Sequence, residues 1–385
     1  MKLEFFKYSQ FDRKPKAWKL DGFTLDNINL IVGENASGKS KFLNCLKGLA
    51  FILSRAKKIP FKSGNFEVHF NKNGKKIVYF LRYEEGKVVR EKLIIDSKTF
   101  LDRGPKGRGT ITAIQLQKEI RFQAPDDEIA ALARRDSIQH PFFEDLYHWG
   151  IDLVHFYFGT ELGKTHYAKF TGKELKEEVD LSDTNKVVAV FKIGQQRFRH
   201  RFVSAIKKDM ASIGYQLTNI RLGTPTSIIF VDELSLPSPP VGLIVKERDL
   251  KCETDQQDMS QGMFRALSLI IQLNYAQMAH IPSCILIDDV GEGLDYERST
   301  SLIKLLIRKS EKTNVQLIMS TNDRFVMNNV PLKYWSVMHR VRNRSLVLSY
   351  KNSPTVFDNF ELTGLSNFDF FTSKFFLGRR RIVLK

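Results

Sequence analysis

Cysteine is scarce in this chain, and long apolar runs do not occur. The cysteines Cys45, Cys252 and Cys284 lie far apart without a Cys-x-x-Cys or histidine pattern, so we expect neither a disulfide framework nor a zinc site. No apolar run approaches the roughly 20 residues of a membrane span. A lysine interrupts the apolar residues between Met1 and Phe6, so no export signal is expected there. These features predict a cytoplasmic protein that does not enter a membrane.

Acidic residues are outnumbered by basic ones. The chain has 43 Asp and Glu against 60 Lys and Arg, which gives a formal net charge of +17. Such an excess concentrates polyanions near the surface, and it favours nucleic acid as a large partner. The alternative is that part of the charge serves a nucleotide and the rest is solvated lysine.

A glycine-rich string near the start of the chain is a P-loop. It follows a strand-like run at residues 28–32 and precedes a helix-like run that begins at Phe42, which is the context this motif requires. Its backbone N–H groups face phosphates, Lys39 adds charge, and Ser40 offers a hydroxyl to Mg²⁺. We therefore expect a nucleoside triphosphate, taken as ATP, to bind to Gly33, Glu34, Asn35, Ala36, Ser37, Gly38, Lys39, Ser40 and Lys41.

A second nucleotide motif lies near residue 288. The apolar run that begins at Cys284 ends in Asp288 and Asp289. The first carboxylate can hold Mg²⁺ and the second can face an attacking water, as in a Walker B strand. The run Ile228-Ile229-Phe230-Val231-Asp232-Glu233 has the same form, so one of the two is a mimic.

The neighbours of Asp288 favour it as the true motif. Ser260-Gln261-Gly262 lies upstream, Gly293-Leu294-Asp295 lies downstream, and a later apolar run ends in Ser320-Thr321-Asn322. This order resembles the ABC-type ATPases of the SMC/RecF/OLD branch, often described as AAA-family ATPases. The resemblance implies an α/β P-loop NTPase fold of the ABC or SMC-head type. It also implies a mixed sheet with an antiparallel β-subdomain and a helical insertion.

The resemblance implies roles for several of these residues. Ser260 and Gly262 would contact the γ-phosphate on the P-loop of a second copy, so that two heads pair as a homodimer. Asp295 would communicate between the two sites. A simpler interpretation is that Ser260 only caps the helix that follows it.

Two positions depart from the pattern of the family. Asp289 stands where glutamate usually polarises the water, and Asn322 stands where the switch histidine usually lies. We therefore expect slow, partner-dependent hydrolysis with Lys39, Asp289 and Asn322 as the catalytic residues. Gln123 is the candidate for the glutamine that reaches Mg²⁺ in this family, and Gln139 is its alternative.

The organisation along the chain suggests a head with an insertion. We predict an ATPase head at 1–123, a mainly helical inserted lobe at 124–222, the rest of the head at 223–350, and a Phe-rich basic tail at 351–385. Alternating runs at 66–70, 77–83 and 88–95 predict antiparallel hairpins, and the Gly-rich stretch 101–110 predicts a loop.

Two further segments carry alternative interpretations. Arg197, Phe198, Arg199, Arg201 and Phe202 interleave cations with aromatic rings, which suits nucleic acid. The two phenylalanines could equally be core positions beneath a solvated basic face. The phenylalanines of the tail either pack against the head or dock a partner.

These observations predict an ATP-binding, slowly hydrolysing switch that gates a nucleic acid or an effector. The stretch after Asp323 is too short for the nuclease domain of OLD-type proteins, so we expect an effector such as a nuclease to be supplied in trans. The resemblance implies prokaryotic anti-phage defence. The alternatives are a RecF-like DNA repair ATPase and a nucleotide-dependent scaffold that does not hydrolyse.

Overall fold

The structure is a computed structural model, and it describes residues 1–168, 180, 183–227, 240–281, 284–313 and 315–378. The competing acidic run at 228–233 and the arginines at 379–381 lie outside the described residues. None of the helices formed by the described residues is long and apolar enough to cross a membrane.

The first third of the chain is mainly strands, and most of the helices follow it. The strands are β1 Lys2–Gln10, β2 Trp18–Thr24, β3 Ile28–Val32, β4 Ser63–Lys72, β5 Lys75–Glu84, β6 Lys87–Ile95, β7 Lys98–Arg103, β8 Arg108–Ala113, β9 Lys118–Gln123, β10 Val154–Tyr157, β11 Leu217–Gly223, β12 Gly242–Glu247, β13 Thr254–Asp255, β14 Cys284–Asp288, β15 Gln316–Thr321, β16 Trp335–Val341 and β17 Arg344–Ser349. The helices are α1 Lys39–Ser54, α2 Ala130–Ala133, α3 Glu144–Asp152, α4 Val187–Phe198, α5 His200–Ser212, α6 Gln261–Met278, α7 Tyr296–Glu311, α8 Arg324–Asn329, α9 Pro354–Glu361 and α10 Asn367–Thr372.

The chain divides into two compact units. Unit 1 is Met1–Leu153, Gln316–Asn322 and Val330–Lys385, and unit 2 is Val154–Val315 and Asp323–Asn329. The predicted boundaries at 123 and 222 do not coincide with this division. Residues 124–153 belong to unit 1 because α3 packs on α1, where Arg55 donates to the carbonyl oxygens of Gly150 and Ile151 at 3.1 and 3.3 Å.

Unit 1 is built on a mixed sheet. Its described strands follow the order β15-β3-β16-β17-β2-β1-β4-β5-β6-β7-β8-β9. β3 is parallel to both β15 and β16, and each of its five residues is buried. From β2 to β9 every neighbouring pair is antiparallel. This is the mixed sheet with an antiparallel part that the sequence predicted.

The predicted hairpins are present as β4, β5 and β6. Their buried positions alternate along each strand, as Ile77, Tyr79 and Leu81 do in β5, because successive side chains point to opposite faces. The loop predicted at 101–110 is shorter than expected: residues 104–107 leave the strand, while the flanking residues belong to β7 and β8, which form a further hairpin. Gly107, with φ 69°, permits the tight turn between them.

Unit 2 has helices around a central helix, α6. The side chains of α6 from Gly262 to Tyr275 are buried, and α4 and α5 pack against it. β10 and β14 form a parallel pair, while β11, β12 and β13 form a small antiparallel sheet. Residues 124–222, predicted as a mainly helical lobe, contain α2 to α5 together with β10 and most of β11.

The Phe-rich tail packs within unit 1. Phe357, Phe360 and Phe370 are buried, and the ring of Phe370 lies 6.3 Å from that of Trp335. These rings form a hydrophobic cluster that fixes α9 and α10 to the unit. The structure therefore supports the packing interpretation for these residues.

Candidate functional site

The P-loop connects β3 to α1 in unit 1, and its glycines are required by close approach. A Cβ at Gly33 would lie 2.4 Å from the carbonyl oxygen of Met338. Gly38 has φ 113°, and a Cβ there would lie 2.9 Å from Ser345 Oγ. Both positions therefore exclude larger residues. The backbone forms a narrow loop that ends at the N-terminus of a 16-residue helix.

The inner side of the loop suits a phosphate. Lys39 is 6% exposed, and its Nζ donates to the carbonyl oxygens of Gly33 at 2.8 Å and Glu34 at 3.3 Å. Within the described part of the chain, the buried Ser37 Oγ has no hydrogen-bond partner. The first turn of α1 has no acidic residue, so the positive end of the helix dipole is not neutralised. These donors fit a triphosphate.

The outer side of the loop is held by a relay that the sequence did not reveal. Ser345 Oγ donates to the carbonyl oxygen of Ser37 at 2.7 Å, and Trp18 Nε1 donates to Ser345 Oγ at 3.1 Å. Arg340 donates to the carbonyl oxygen of Ala36 at 3.2 Å. Trp18 and Ser345 are buried, so the carbonyl of Ser37 is held in a site shielded from water, whereas the bond from Arg340 to Ala36 is exposed.

The remaining P-loop residues have different surroundings. Asn35 and Ser40 are exposed. Glu34 forms an exposed ion pair with Lys374 at 3.1 Å, which stabilises little. Lys41 Nζ lies 4.4 Å from the ring centroid of Trp18, so its ammonium group forms a cation–π interaction with the indole.

The structure brings Asn322 to the P-loop. β15 runs parallel to β3 with Thr321 opposite Val32. The next residue on each strand is Asn322 on β15 and Gly33 on β3. Because the ends of parallel strands meet at one edge of a sheet, the exposed Asn322 lies beside the start of the loop. The role of Asn322 as the switch residue stays a prediction.

Gln123 is not beside the P-loop, contrary to the prediction. It ends β9, the strand at the far end of the sheet order of unit 1 from β3. In the segment that follows it, the carbonyl oxygen of Asp127 accepts from Ile59 N at 2.9 Å, five residues beyond the C-terminal end of α1. The P-loop lies at the opposite end of this helix. Gln139 interacts instead with Gln115 at 3.1 Å.

In unit 2, Asp288 ends a strand whose five residues are all buried. β10 runs parallel to it with Tyr157 opposite Asp288, and Phe158 N donates to Asp288 O at 3.0 Å. Burial, together with the charge of Asp288, raises the pKa of Tyr157. Asp289 is partly exposed and has φ 55°, a left-handed conformation that aspartate adopts more readily than most residues other than glycine.

The predicted signature lies at the start of α6 in unit 2. Ser260 is the N-cap of this 18-residue helix, and its Oγ accepts from Met263 N at 3.2 Å. Its side chain is exposed and also forms a hydrogen bond with the side chain of Tyr215. Gly262 is buried, and a Cβ there would lie 2.4 Å from the carbonyl oxygen of Gly293. The capping interpretation is therefore correct, and the contact of Ser260 with a second copy stays a prediction.

Two buried side chains hold the segment before Ser260. Asp255 accepts from the backbone N–H and hydroxyl of Thr226 and of Ser227 at 2.8 to 3.2 Å. Gln256 Nε2 donates to the carbonyl oxygens of Lys164 and His166 at 2.8 and 2.9 Å. These bonds fix the turn from which the helix starts.

Asp295 is the N-cap of α7. Its Oδ1 accepts from Arg298 N at 2.9 Å, and its Oδ2 pairs with the Arg298 guanidinium. The backbone hydrogen bond from Arg298 lowers the pKa of Asp295. The side chain is exposed and serves the helix that follows.

The predicted site residues thus fall into two groups. Unit 1 carries the P-loop with Asn322, and unit 2 carries Asp288 with Asp289 and Ser260 with Gly262. Within unit 2, the signature glycine contacts the segment that follows the two carboxylates. The sequence did not indicate Tyr157, because β10 is a four-residue strand without a motif.

The family described as "AAA domain, putative AbiEii toxin, Type IV TA system" matches residues 28–328. The chain belongs to this family. It is therefore an AAA-family ATPase by sequence, and the match covers the P-loop, Ser260, Asp288 and Asn322. No curated protein matches the chain by sequence.

Solved structures support the fold assignment. The crystal structure of the SmcHead bound to the C-winged helix domain of ScpA has a TM-score of 0.54 and 15% identity, and covers 92% of this chain and 100% of its own. The SMC head domain from Thermotoga maritima has a TM-score of 0.46 and 13% identity, covering 91% and 99%. The Smc head domain with an extended coiled coil, bound to the C-terminal domain of ScpA derived from Pyrococcus furiosus, has a TM-score of 0.49 and 14% identity, covering 94% and 99%. The first of these shows an SMC-head fold.

Proposed function

We propose that this protein is a switch that binds Mg-ATP, pairs two heads around the nucleotide and hydrolyses it slowly. The observation that carries the proposal is the phosphate cradle of the P-loop. Gly33 and Gly38 have no room for a side chain, and the buried Ser37 hydroxyl has no partner in the described residues. A phosphate would supply the acceptor that this hydroxyl lacks.

Each polar group has a role in this proposal. Backbone N–H groups of the loop bind the β-phosphate, and Lys39 leaves the carbonyl oxygens of its own loop to reach a phosphate oxygen. Ser40 and Asp288 would hold Mg²⁺, which supplies charge neutralisation during phosphoryl transfer. Asp289 orients the attacking water, and Asn322 donates to the γ-phosphate.

Pairing of two copies involves Ser260 and Gly262. The hydroxyl of Ser260 already accepts from Met263 N and is exposed, so it can donate to the γ-phosphate on the P-loop of a second copy. The start of α6 adds backbone N–H groups and a positive dipole. The proposed homodimer closes when both nucleotides are bound. Asp295 would then communicate between the two nucleotide sites.

The partner that the switch gates is a nucleic acid or an effector supplied in trans, such as a nuclease in anti-phage defence. Support for nucleic acid comes from the basic corner, which we define as Arg197, Arg199, His200, Arg201 and Lys208. All five are exposed. The only acidic residue in 187–212 is Asp209, which is buried and bonded to Asn274 and Lys309, each at 2.7 Å.

The basic corner offers charge rather than stacking. Phe202 is buried, and its ring lies 6.5 Å from that of Tyr275, so it belongs to the core of unit 2. A surface of this kind contacts phosphates and does not read bases.

Two other functions remain as candidates. A RecF-like DNA repair ATPase would show ATP-dependent preference for DNA ends or junctions without an effector. A scaffold that binds but never hydrolyses ATP is motivated by Asp289 and Asn322, each of which departs from the usual residue of the ABC-type pattern. Single-turnover hydrolysis separates the scaffold from the switch.

The test compares the wild type with Lys39→Ala and Asp289→Asn. ATP affinity and single-turnover hydrolysis are measured with Mg²⁺, with and without DNA or RNA. We expect Lys39→Ala to lose ATP binding, and Asp289→Asn to keep ATP binding but lose hydrolysis. ATP binding that survives in Lys39→Ala would contradict the proposed site. A wild type that turned over ATP at about ten per second without a partner, near the median for enzymes, would contradict the slow switch.

A further inference from the structure

Arg265 is a buried cation whose hydrogen bonds reach two separate loops of unit 2. It lies in α6, five residues after Ser260, and is 8% exposed. Its Nε donates to the carbonyl oxygen of Thr160 at 2.8 Å, and its Nη1 donates to the carbonyl oxygen of Glu292 at 3.0 Å. A buried guanidinium that binds backbone carbonyls fixes their positions, because leaving either donor unpaired is costly.

The two loops follow the parallel strands β10 and β14. Thr160 comes two residues after Phe158, whose N–H donates to Asp288 O at 3.0 Å. Glu292 comes three residues after Asp289, and its N–H donates to Asp289 O at 3.2 Å. Arg265 therefore bonds to Glu292, which itself donates to Asp289 O, and to Thr160, two residues beyond the N–H that donates to Asp288 O.

The packing around Arg265 leaves little room for the loops to move separately. A Cβ at Gly293 would lie 2.6 Å from Arg265 Nη1, and a Cβ at Gly262 would lie 2.4 Å from Gly293 O. Gln261 Nε2 also donates to Thr160 O, at 3.2 Å. A continuous set of contacts therefore joins the start of α6 to the two loops.

We propose that Arg265 is a positioning residue that couples the start of α6 to Asp289. When Ser260 binds a nucleotide, the start of α6 shifts. The guanidinium of Arg265, whose donors form a planar fork, transmits this shift to the loop that positions the backbone of Asp289. The inference rests on the proposed function, since it assigns a role to Asp289 in hydrolysis. Lysine cannot replace the fork, because it has no pair of donors with fixed geometry.

The test is Arg265→Lys, which keeps the charge and removes the fork. ATP affinity, single-turnover hydrolysis and thermal unfolding are measured on the full chain. We expect hydrolysis to fall by about tenfold or more, while ATP affinity stays within about twofold, because Thr160 and Glu292, whose carbonyls Arg265 binds, are not among the proposed ATP-binding residues. Arg308→Lys, at an exposed position of α7, is the matched control and should resemble the wild type.

A milder variant keeps the proposal testable if Arg265→Lys does not fold. Gln261→Ala removes only the longer bond to Thr160 O, so hydrolysis should fall less than in Arg265→Lys and ATP affinity should not change. Equal losses of ATP binding and hydrolysis in the folded variants would overturn the coupling role, and so would wild-type hydrolysis in both.

Asp289→Asn in the same assay separates two kinds of failure. If Asp289→Asn stops hydrolysis and the Arg265 and Gln261 variants hydrolyse normally, only the coupling role fails. If the wild type does not hydrolyse ATP in a single turnover, the hydrolytic part of the proposed function fails, and the role of Arg265 fails with it.

Discussion

The hydroxyl of Ser345 donates to the carbonyl oxygen of Ser37 at 2.7 Å, although the two residues are 308 positions apart. Because Ser345 Oγ also accepts from Trp18 Nε1, its proton is committed to the P-loop. The loop is thus held from outside by a buried relay, while its inner side remains available to phosphate.

Replacing Ser345 by alanine should weaken ATP binding. The change leaves the Ser37 carbonyl and the Trp18 indole N–H without their partner in a buried site, at a cost of about 1 to 3 kcal/mol. We expect a several-fold to tenfold loss of ATP affinity by calorimetry. Ser345→Thr retains the hydroxyl and serves as the control, and equal affinities for the alanine variant and the wild type would exclude the relay from nucleotide binding.

Charge reversal at the basic corner should weaken nucleic-acid binding. Changing Arg197, Arg199 and Arg201 to glutamate removes three phosphate-binding cations. The slope of log affinity against log salt should therefore fall by about 0.9 for each duplex phosphate that the protein no longer neutralises. Fluorescence anisotropy across a salt series measures this slope.

The control for that experiment reverses three exposed lysines of unit 1, namely Lys57, Lys62 and Lys106. It changes the net charge by the same amount. If both triple variants lose affinity equally, net charge rather than the basic corner governs binding, and if neither does, the surface is not used.

Asp255 should make stability depend on pH in the acid range. Burial raises the pKa of Asp255, but hydrogen bonds from Ser227 and Thr226 outweigh burial and lower the pKa from 3.8 to about 2. The unfolded chain therefore binds this proton more tightly. The stabilisation is complete above about pH 4 and is lost as the pH falls through about 2, and it amounts to about 2 kcal/mol.

The variant Asp255→Asn tests this dependence by urea unfolding at neutral pH and at two acid values. We expect a lower free energy of unfolding at neutral pH and a flatter decline below about pH 4. Asp249→Asn, at an exposed position, should leave both unchanged. A decline as steep as in the wild type would show that other carboxylates govern acid unfolding.

Local signals in the sequence were sufficient for much of the architecture. The P-loop between β3 and α1 was predicted because strand, glycine turn and helix follow one another within a short segment. The hairpins of β4, β5 and β6 were predicted because alternation of apolar residues reports one buried face directly. Asn322 lies beside the start of the P-loop because β15 ends beside β3, and its role as the switch residue stays a prediction.

Features that depend on distant parts of the chain were not predicted. Gln123 was assigned from its position between two predicted segments, but its place is set by the order of the strands in the sheet. The stretch 101–110 looked like a loop because glycine is usually a breaker, whereas Gly107 and Gly109 permit a tight hairpin. Arg265 and Ser345 act through backbone carbonyls far along the chain, and such interactions leave no spacing pattern.

The interleaved course of the chain restricts how the protein can be dissected. A fragment that stopped at Leu153 would contain β3 and the P-loop but would lack β15 and β16, the two strands that flank β3 in unit 1. The exposed edges of that fragment would be free to pair with other chains. Truncation would therefore report on aggregation rather than on nucleotide affinity, and point substitutions in the intact polypeptide are the appropriate way to study this site.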